Sequence, residues 1–372
     1  MLRFVAALAA VVGAAPEVVL HVGPHKCGST TIEAATLVHR FISTSLASAD
    51  GFAMTVGFPG EFRSAKNHAN LAGALLEPDT LSQPAWVWFV AWARGALARG
   101  KRLFLSSENF ASVAALPAKT QLLISTLRMI GFGKLRVVIV HRRCYEKLQS
   151  EHSEQFLADY RTRADVSEYL PIVDWVTQRE PYAENKFGQT VMLRAHFERL
   201  GAEVSVLDIH RVPPSDFVAT FVCEHMRAAS TCGQLRAHPN SAKVGKKNAR
   251  PRGAALLVDV IYGAAAQRGM ARLSCPRALQ ALYALGADWR PELAIQARCL
   301  SEPELARVWR FTAAEEADLL RRPLSALEAS ELRKDFDAKA GGFCSANVSA
   351  VLASVAWAKP LAIALKRGSE MD

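Results

Sequence analysis

Apolar runs alternate with segments of helical spacing over the first 225 or so residues of the chain. EVVLHV (17–22) is a short β-branched run ending on Gly23-Pro24, a strand that enters a loop. TTIEAATLVHRFIS, just beyond, sets Ile32, Ala35 and Leu37 at helical spacing. After the loop-like GFAMTVGFPGEFRSAKNH, a helix is predicted from Ala69 to Leu76, and AWVWFVAWARGALARG reads as a strongly apolar helix packed on a sheet. KRLFLSSENF is a second strand that ends in a polar turn, and QLLISTLRMIGFG an amphipathic helix closed by glycine. LRVVIVHRR is the clearest strand, apolar from Leu135 to Val140 except at Arg136, then abruptly basic. CYEKLQSEHSEQFLADY returns to helical spacing, and VSVLDIH (204–210) is a further buried strand ahead of the helical DFVATFVCEHM.

Strands written as continuous apolar runs and separated by helices indicate a parallel sheet covered on both faces. The expected fold is therefore a doubly wound α/β domain over residues 17–245. HPNSAKVGKKNARPRG follows, a basic loop with Lys243, Lys246, Lys247 and Arg250, suited to a linker or to a flap over an anion. From 246 to 372 the spacing is helical, with no strand signal of comparable quality.

Composition narrows the classes. Half of the 372 residues are apolar and 22% charged, which is ordinary for a globular chain. A net charge of +10 suits an anionic partner or serves solubility. No zinc-finger or RNA-binding signature accompanies it, so nucleic acid is not expected. Residues 1–15, MLRFVAALAAVVGAA, combine Arg3, an apolar segment and small residues in the manner of a secretory signal, and are too short for the ~20 residues of a membrane span. No later segment has the length of a transmembrane helix. The expected location is the Golgi lumen or outside the cell, or the cytoplasm if that segment does not target the chain. None of the seven cysteines forms a CxxC or a zinc pattern, so no metal is expected. In an oxidising compartment Cys223–Cys232 and Cys275–Cys299 are candidate disulfides. Asn347-Val348-Ser349 is the single N-glycosylation sequon.

Ligands of open parallel sheets sit beyond the carboxyl ends of the strands. Three strand ends here carry unusual polar residues: GPHKCGSTT, SSEN and HRR. The first is a glycine loop ahead of a helix, where backbone N–H groups attract phosphate oxygens. Lys26 projects into the same site, and Ser29, Thr30 and Thr31 add hydroxyls. At the third, Arg142 followed on the next helix by Ser150 offers a guanidinium fork and a hydroxyl to a second anion.

Taken together, the two sites resemble the sulfotransferase family. HVGPHKCGSTT is similar to its 5′-phosphosulfate loop, whose lysine lies inside the loop, and RRCYEKLQS to its 3′-phosphate motif. The resemblance covers about residues 17–245 and implies a P-loop type of nucleotide fold with 3′-phosphoadenosine 5′-phosphosulfate (PAPS) as cofactor. It assigns Lys26, Gly28, Ser29, Thr30 and Thr31 to the phosphosulfate end, and Arg142 with Ser150 to the 3′-phosphate. His238, Asn240 and Ser241 stand where members close a loop over the nucleotide. Cys27 and Cys144 depart from the usual residues, and Cys27 beside the lysine leaves room for redox sensitivity. In the implied reaction a hydroxyl or amine of a glycan or other acceptor attacks sulfur, and Lys26 steadies the charge on the leaving phosphate. His68 and Glu108 are the candidate bases. Two alternatives stand beside this: a kinase or NTPase, for which Asp208 is the candidate magnesium ligand, and an inactive nucleotide-binding protein of the same fold.

Overall fold

The structure, a computed structural model, describes residues 16–24, 27–55, 68–153, 166–178, 188–239, 254–270, 272–284 and 297–370. The signal-like segment, Lys26 and the basic stretch 240–253 with Asn240 and Ser241 lie outside them. The chain divides into two units, one of residues 1–142 and 189–247, the other of 143–188 and 248–372.

The first unit is built on a five-stranded, all-parallel sheet of order β2-β3-β1-β4-β5. Its strands are β1 (Glu17–Val22), β2 (Phe52–Ala53), β3 (Arg102–Ser107), β4 (Lys134–His141) and β5 (Glu203–Asp208). α1 (Ser29–Glu33), continued by a π-helical turn, and α2 (Arg40–Ser48) follow β1. α3 (Ala69–Leu76) and α4 (Pro84–Ala98) lead to β3, and α5 (Phe110–Ala114) and α6 (Pro117–Ile130) lead to β4. Proline opens α4 and α6, where its missing N–H costs nothing. Gly131, at φ +121°, closes α6.

Alternate strand residues face opposite sides, and each side has its own core. Val18, Leu20, Leu103, Leu105, Val137 and Ile139 pack under α3–α6 and the later helix α9 (Gln189–Arg199). Val19, Phe104, Val138 and Val140 pack against α1, α2, α10 (Phe217–Thr220) with its π-helical continuation to His225, and α11 (Ala229–Ala237). The sheet is therefore doubly wound, as the unbroken apolar runs predict. Arg136 interrupts β4 for a physical reason. At the amino edge of the sheet it pairs with Glu17 (2.9 Å) and Glu203 (3.1 Å), and Glu17 pairs also with Arg102.

The second unit gathers α7 (Cys144–Ser153), α8 (Ile172–Gln178), α12 (Ala254–Gln267), α13 (Cys275–Tyr283), α14 (Glu302–Leu320), α15 (Ala326–Lys339), α16 (Val348–Ala353) and α17 (Val355–Ser369). Tyr145, Leu148, Trp175 and Val176 share one core with Ile261, Phe336 and Trp357. This shared core explains why 143–188 belongs with the C-terminal region and not, as the sequence suggests, with the α/β domain. Strands are present here too. β6 (Ala297–Cys299) and β7 (Cys344–Ala346) form an antiparallel pair, and the partners Cys299 and Cys344 are disulfide-bonded. The expected Cys275–Cys299 bridge is thus replaced by Cys299–Cys344, because the ladder sets those two residues opposite each other. Cys223–Cys232 is present as expected. No helix among the described residues is long and apolar enough to cross a membrane.

Candidate active site

The strand order places β1 between β3 and β4; Val22 is in register with Ser107, the last residue of β3, on one side and with Ile139 on the other, where β4 runs two residues further to His141. After β1 the chain passes to helices on one face of the sheet, and after β3 to helices on the other. Connections that diverge in this way open a crevice at the carboxyl ends of the two strands. Gly23 and Glu108 follow β1 and β3 directly at these ends.

Gly23 and Gly28 each meet a specific demand. A Cβ on Gly23 would lie 2.3 Å from Ser29 Oγ and 3.4 Å from His21 Nε2, so the close approach of Ser29 leaves no room for a side chain here. Gly28 has φ +94°, a left-handed conformation that side chains resist, and its carbonyl accepts from the N–H groups of Thr31 and Ile32. The helix start it forms has no side-chain cap. Ser29 is 2% exposed, and its Oγ has no hydrogen-bond partner among the described residues. Thr30 and Thr31 are half-buried on the same turn.

His21, on β1, was not singled out from the sequence. Its Nδ1 lies 2.7 Å from Ser106 Oγ, its ring packs edge-on against Phe221, and its Nε2 has no partner among the described residues. Complete burial pushes its pKa down to about 3, opposed by the charge of Glu108. The ring is neutral at physiological pH. Glu108 is half-buried just past β3.

His68 is enclosed and neutral. Its backbone N–H donates to Ser106 O (2.8 Å), and its Nδ1 accepts from Ser106 N–H (2.8 Å). β2 is two residues long, and His68 continues the pairing along β3 where that strand has ended. Burial lowers its pKa to about 4 against backbone hydrogen bonds to Ser106 and Thr55. Its Nδ1, already an acceptor for a backbone N–H, is not available to a substrate.

At the tip of β4, His141 is fully buried, with Nδ1 3.1 Å from Thr190 Oγ1. Arg142, half-buried, ends this stretch of the first unit. Ser150 stands on α7 in the second unit, half-buried. Arg143, the other arginine leaving the strand, is taken up inside the second unit by Asp335 (2.7 Å). Asp208, the kinase-type candidate, accepts from its own turn at His210 N–H (2.9 Å) and pairs with Arg211 (3.2 Å). Cys27 is wholly buried in the apolar core, so it packs as a small hydrophobe and lacks the exposure of a redox sensor. Cys144 is equally buried, and burial pushes its thiol pKa well up.

The first unit thus brings together Gly23, Gly28, Ser29, Thr30, Thr31, His21, Ser106 and Glu108. Two buried polar atoms over a glycine, next to an uncapped helix start, fit an oxyanion such as a phosphate. His21 and Ser106 had one sequence signal: a polar residue in an otherwise apolar run, just before each strand's end. No family model, curated protein or solved structure matches the chain, so its chemistry has to be read from these residues.

Proposed function

We propose that the protein is a sulfotransferase of P-loop type that uses PAPS and acts on a hydroxyl or amine of a glycan or other large acceptor. The observation that carries the reading is the pair Ser29 Oγ and His21 Nε2, buried, unpartnered and convergent over Gly23. A buried polar atom without a partner costs about 1–3 kcal/mol, which an anion oxygen accepting from both groups would recover. The loop N–H groups, Ser29, Thr30, Thr31 and Lys26 would hold the phosphosulfate end; the assignment of Arg142 and Ser150 to the 3′-phosphate rests on the sequence resemblance alone. When bound, the nucleotide supplies a transferable sulfuryl group.

The remaining tasks belong to the chain. With the Ser106 hydroxyl donating to Nδ1, His21 carries its hydrogen on Nε2 and donates to an anion oxygen without adding charge. Glu108 takes the acceptor's proton, since its half-buried carboxylate lies beside the crevice whereas His68 is committed to the sheet. The two disulfides support an oxidising compartment, in keeping with the signal-like N-terminus.

Glu108 also favours a second reading, magnesium-dependent phosphoryl transfer, in which an acid at a strand tip beside the loop binds the metal. Full-length protein incubated with ³⁵S-labelled PAPS and a panel of glycans, lipids and phenols separates the two. Label transfer that survives EDTA and disappears in Lys26→Ala and Glu108→Gln supports sulfuryl transfer. Transfer from γ-labelled ATP that EDTA abolishes supports the second reading. Nucleotide binding with neither activity identifies an inactive binding protein.

A further inference from the structure

The sequon Asn347-Val348-Ser349 has no part in the strand-tip site and lies in the second unit, directly after β7. We propose that Asn347 is a glycosylated position, carrying an N-linked oligosaccharide on Nδ2. The proposal rests on the secretory part of the reading above and is independent of the nucleotide chemistry. Four observations converge on it.

Asn347 and Ser349 are both exposed, while Ser345 and Ala346 before them are buried and hold the strand in place. Asn347 caps α16, and the cap uses the oxygen of its amide: Oδ1 accepts from Ala350 N–H at 3.1 Å. Nδ2, the atom that is glycosylated, donates to nothing among the described residues. A glycosylated amide keeps its carbonyl oxygen, so the modification and the helix cap coexist on one side chain. Finally, the neighbouring Cys344 is disulfide-bonded to Cys299, which ties this stretch to a compartment where thiols oxidise.

In the modification, Nδ2 forms a bond to the anomeric carbon of a lipid-diphosphate-linked oligosaccharide. The bond from that carbon to the diphosphate oxygen breaks, the lipid diphosphate leaves with the electron pair, and the transferase removes the amide proton. No oxidant or reductant is consumed.

The test expresses the full chain in a eukaryotic secretory host, once with its own N-terminus and once with a strong secretory leader in place of residues 1–15. Both are analysed by peptide-N-glycosidase digestion and peptide mass spectrometry. The expected result is a single glycosidase-sensitive mobility shift, with enzymatic conversion of Asn347 to aspartate. Asn347→Asp and Ser349→Ala should each abolish the shift. Both keep a cap acceptor, so their melting temperatures should match that of the enzymatically deglycosylated protein. Modification of the leader-bearing chain alone would overturn the native secretory reading and leave the site standing. A leader-bearing chain secreted with both disulfides formed and Asn347 unmodified would overturn the proposal.

Discussion

His21 Nδ1 and Ser106 Oγ meet at 2.7 Å across two neighbouring strands, although 85 residues separate them in the chain. Ser106→Ala leaves a buried ring nitrogen without its partner, which costs about 1–3 kcal/mol. It also releases the constraint on which nitrogen carries the hydrogen. Urea denaturation should show the loss of stability, and calorimetry a weaker affinity for adenosine 3′,5′-bisphosphate. Unchanged affinity would remove His21 from the anion site.

Ser29→Ala should act in the opposite sense on the fold. It deletes a buried hydroxyl that has no partner among the described residues, so stability should stay level or rise by as much as about 1 kcal/mol. Affinity for the bisphosphate should fall by about 1.5–3 kcal/mol, the range for a hydrogen bond to a charged group. A variant more stable yet weaker in binding is the signature of a group kept for its ligand; a variant less stable with unchanged binding would contradict it.

Much of the first unit was legible in the sequence because buried parallel strands carry unalternating apolar runs, VVL in β1, LFL in β3 and VVIV in β4. β2 was not, since two residues cannot display a period. β6 and β7 were missed because β6 is wholly exposed and the pair is joined by a disulfide. The glycine loop could be read from its spacing. His21 could not, because its role depends on Ser106, a partner that register alone brings alongside. Nor does a histidine at a helix start give any sign that its ring will accept from a strand's backbone N–H, as His68 does from Ser106.

Acid should unfold the first unit through its histidines. Folded values of about 3 for His21 and about 4 for His68 lie below the ordinary 6.5, so the unfolded chain binds the extra protons. Their contribution is fully present above pH 6.5 and is lost as pH falls through the folded values, at about 2–3 kcal/mol per pH unit for the pair. In the second unit burial pushes Asp259 up to about 7, against the lowering pull of hydrogen bonds from Tyr169 and Ala346, and its contribution is lost as pH rises from 3.8 through that value. Hydrogen exchange followed from pH 7 to 4.5 should show β1 and β3 losing protection. Asp259→Asn should flatten the dependence of α12 alone.

Arg136→Met tests the amino edge of the sheet. Breaking a buried ion pair costs about 3–5 kcal/mol, and the lower end is expected because Glu17 keeps Arg102 as a partner. Adding Glu17→Gln should recover part of the loss in urea denaturation, while nucleotide affinity stays at the wild-type value at the far edge.

The two disulfides should differ in weight. Cys299–Cys344 spans a sequence separation of 45 and Cys223–Cys232 one of 9. Loop-closure entropy then predicts losses of about 4 and about 2.5 kcal/mol respectively on paired Cys→Ser replacement. Denaturation midpoints of the two double variants provide the comparison, and equal losses would exclude a chain-entropy origin.

The two units interleave along the chain, and synthesis must respect that order. A ribosome delivers β1 to β4, then turns to 143–188, and only afterwards supplies β5 and the helices that finish the sheet. The excursion in turn waits for everything after 248 before its apolar side is covered. The sheet-bearing unit is complete in sequence once residue 247 has been made, whereas 143–188 still lacks its partners, so a nascent chain halted there would carry all five strands and an unsheltered, aggregation-prone arm, a natural client for chaperones.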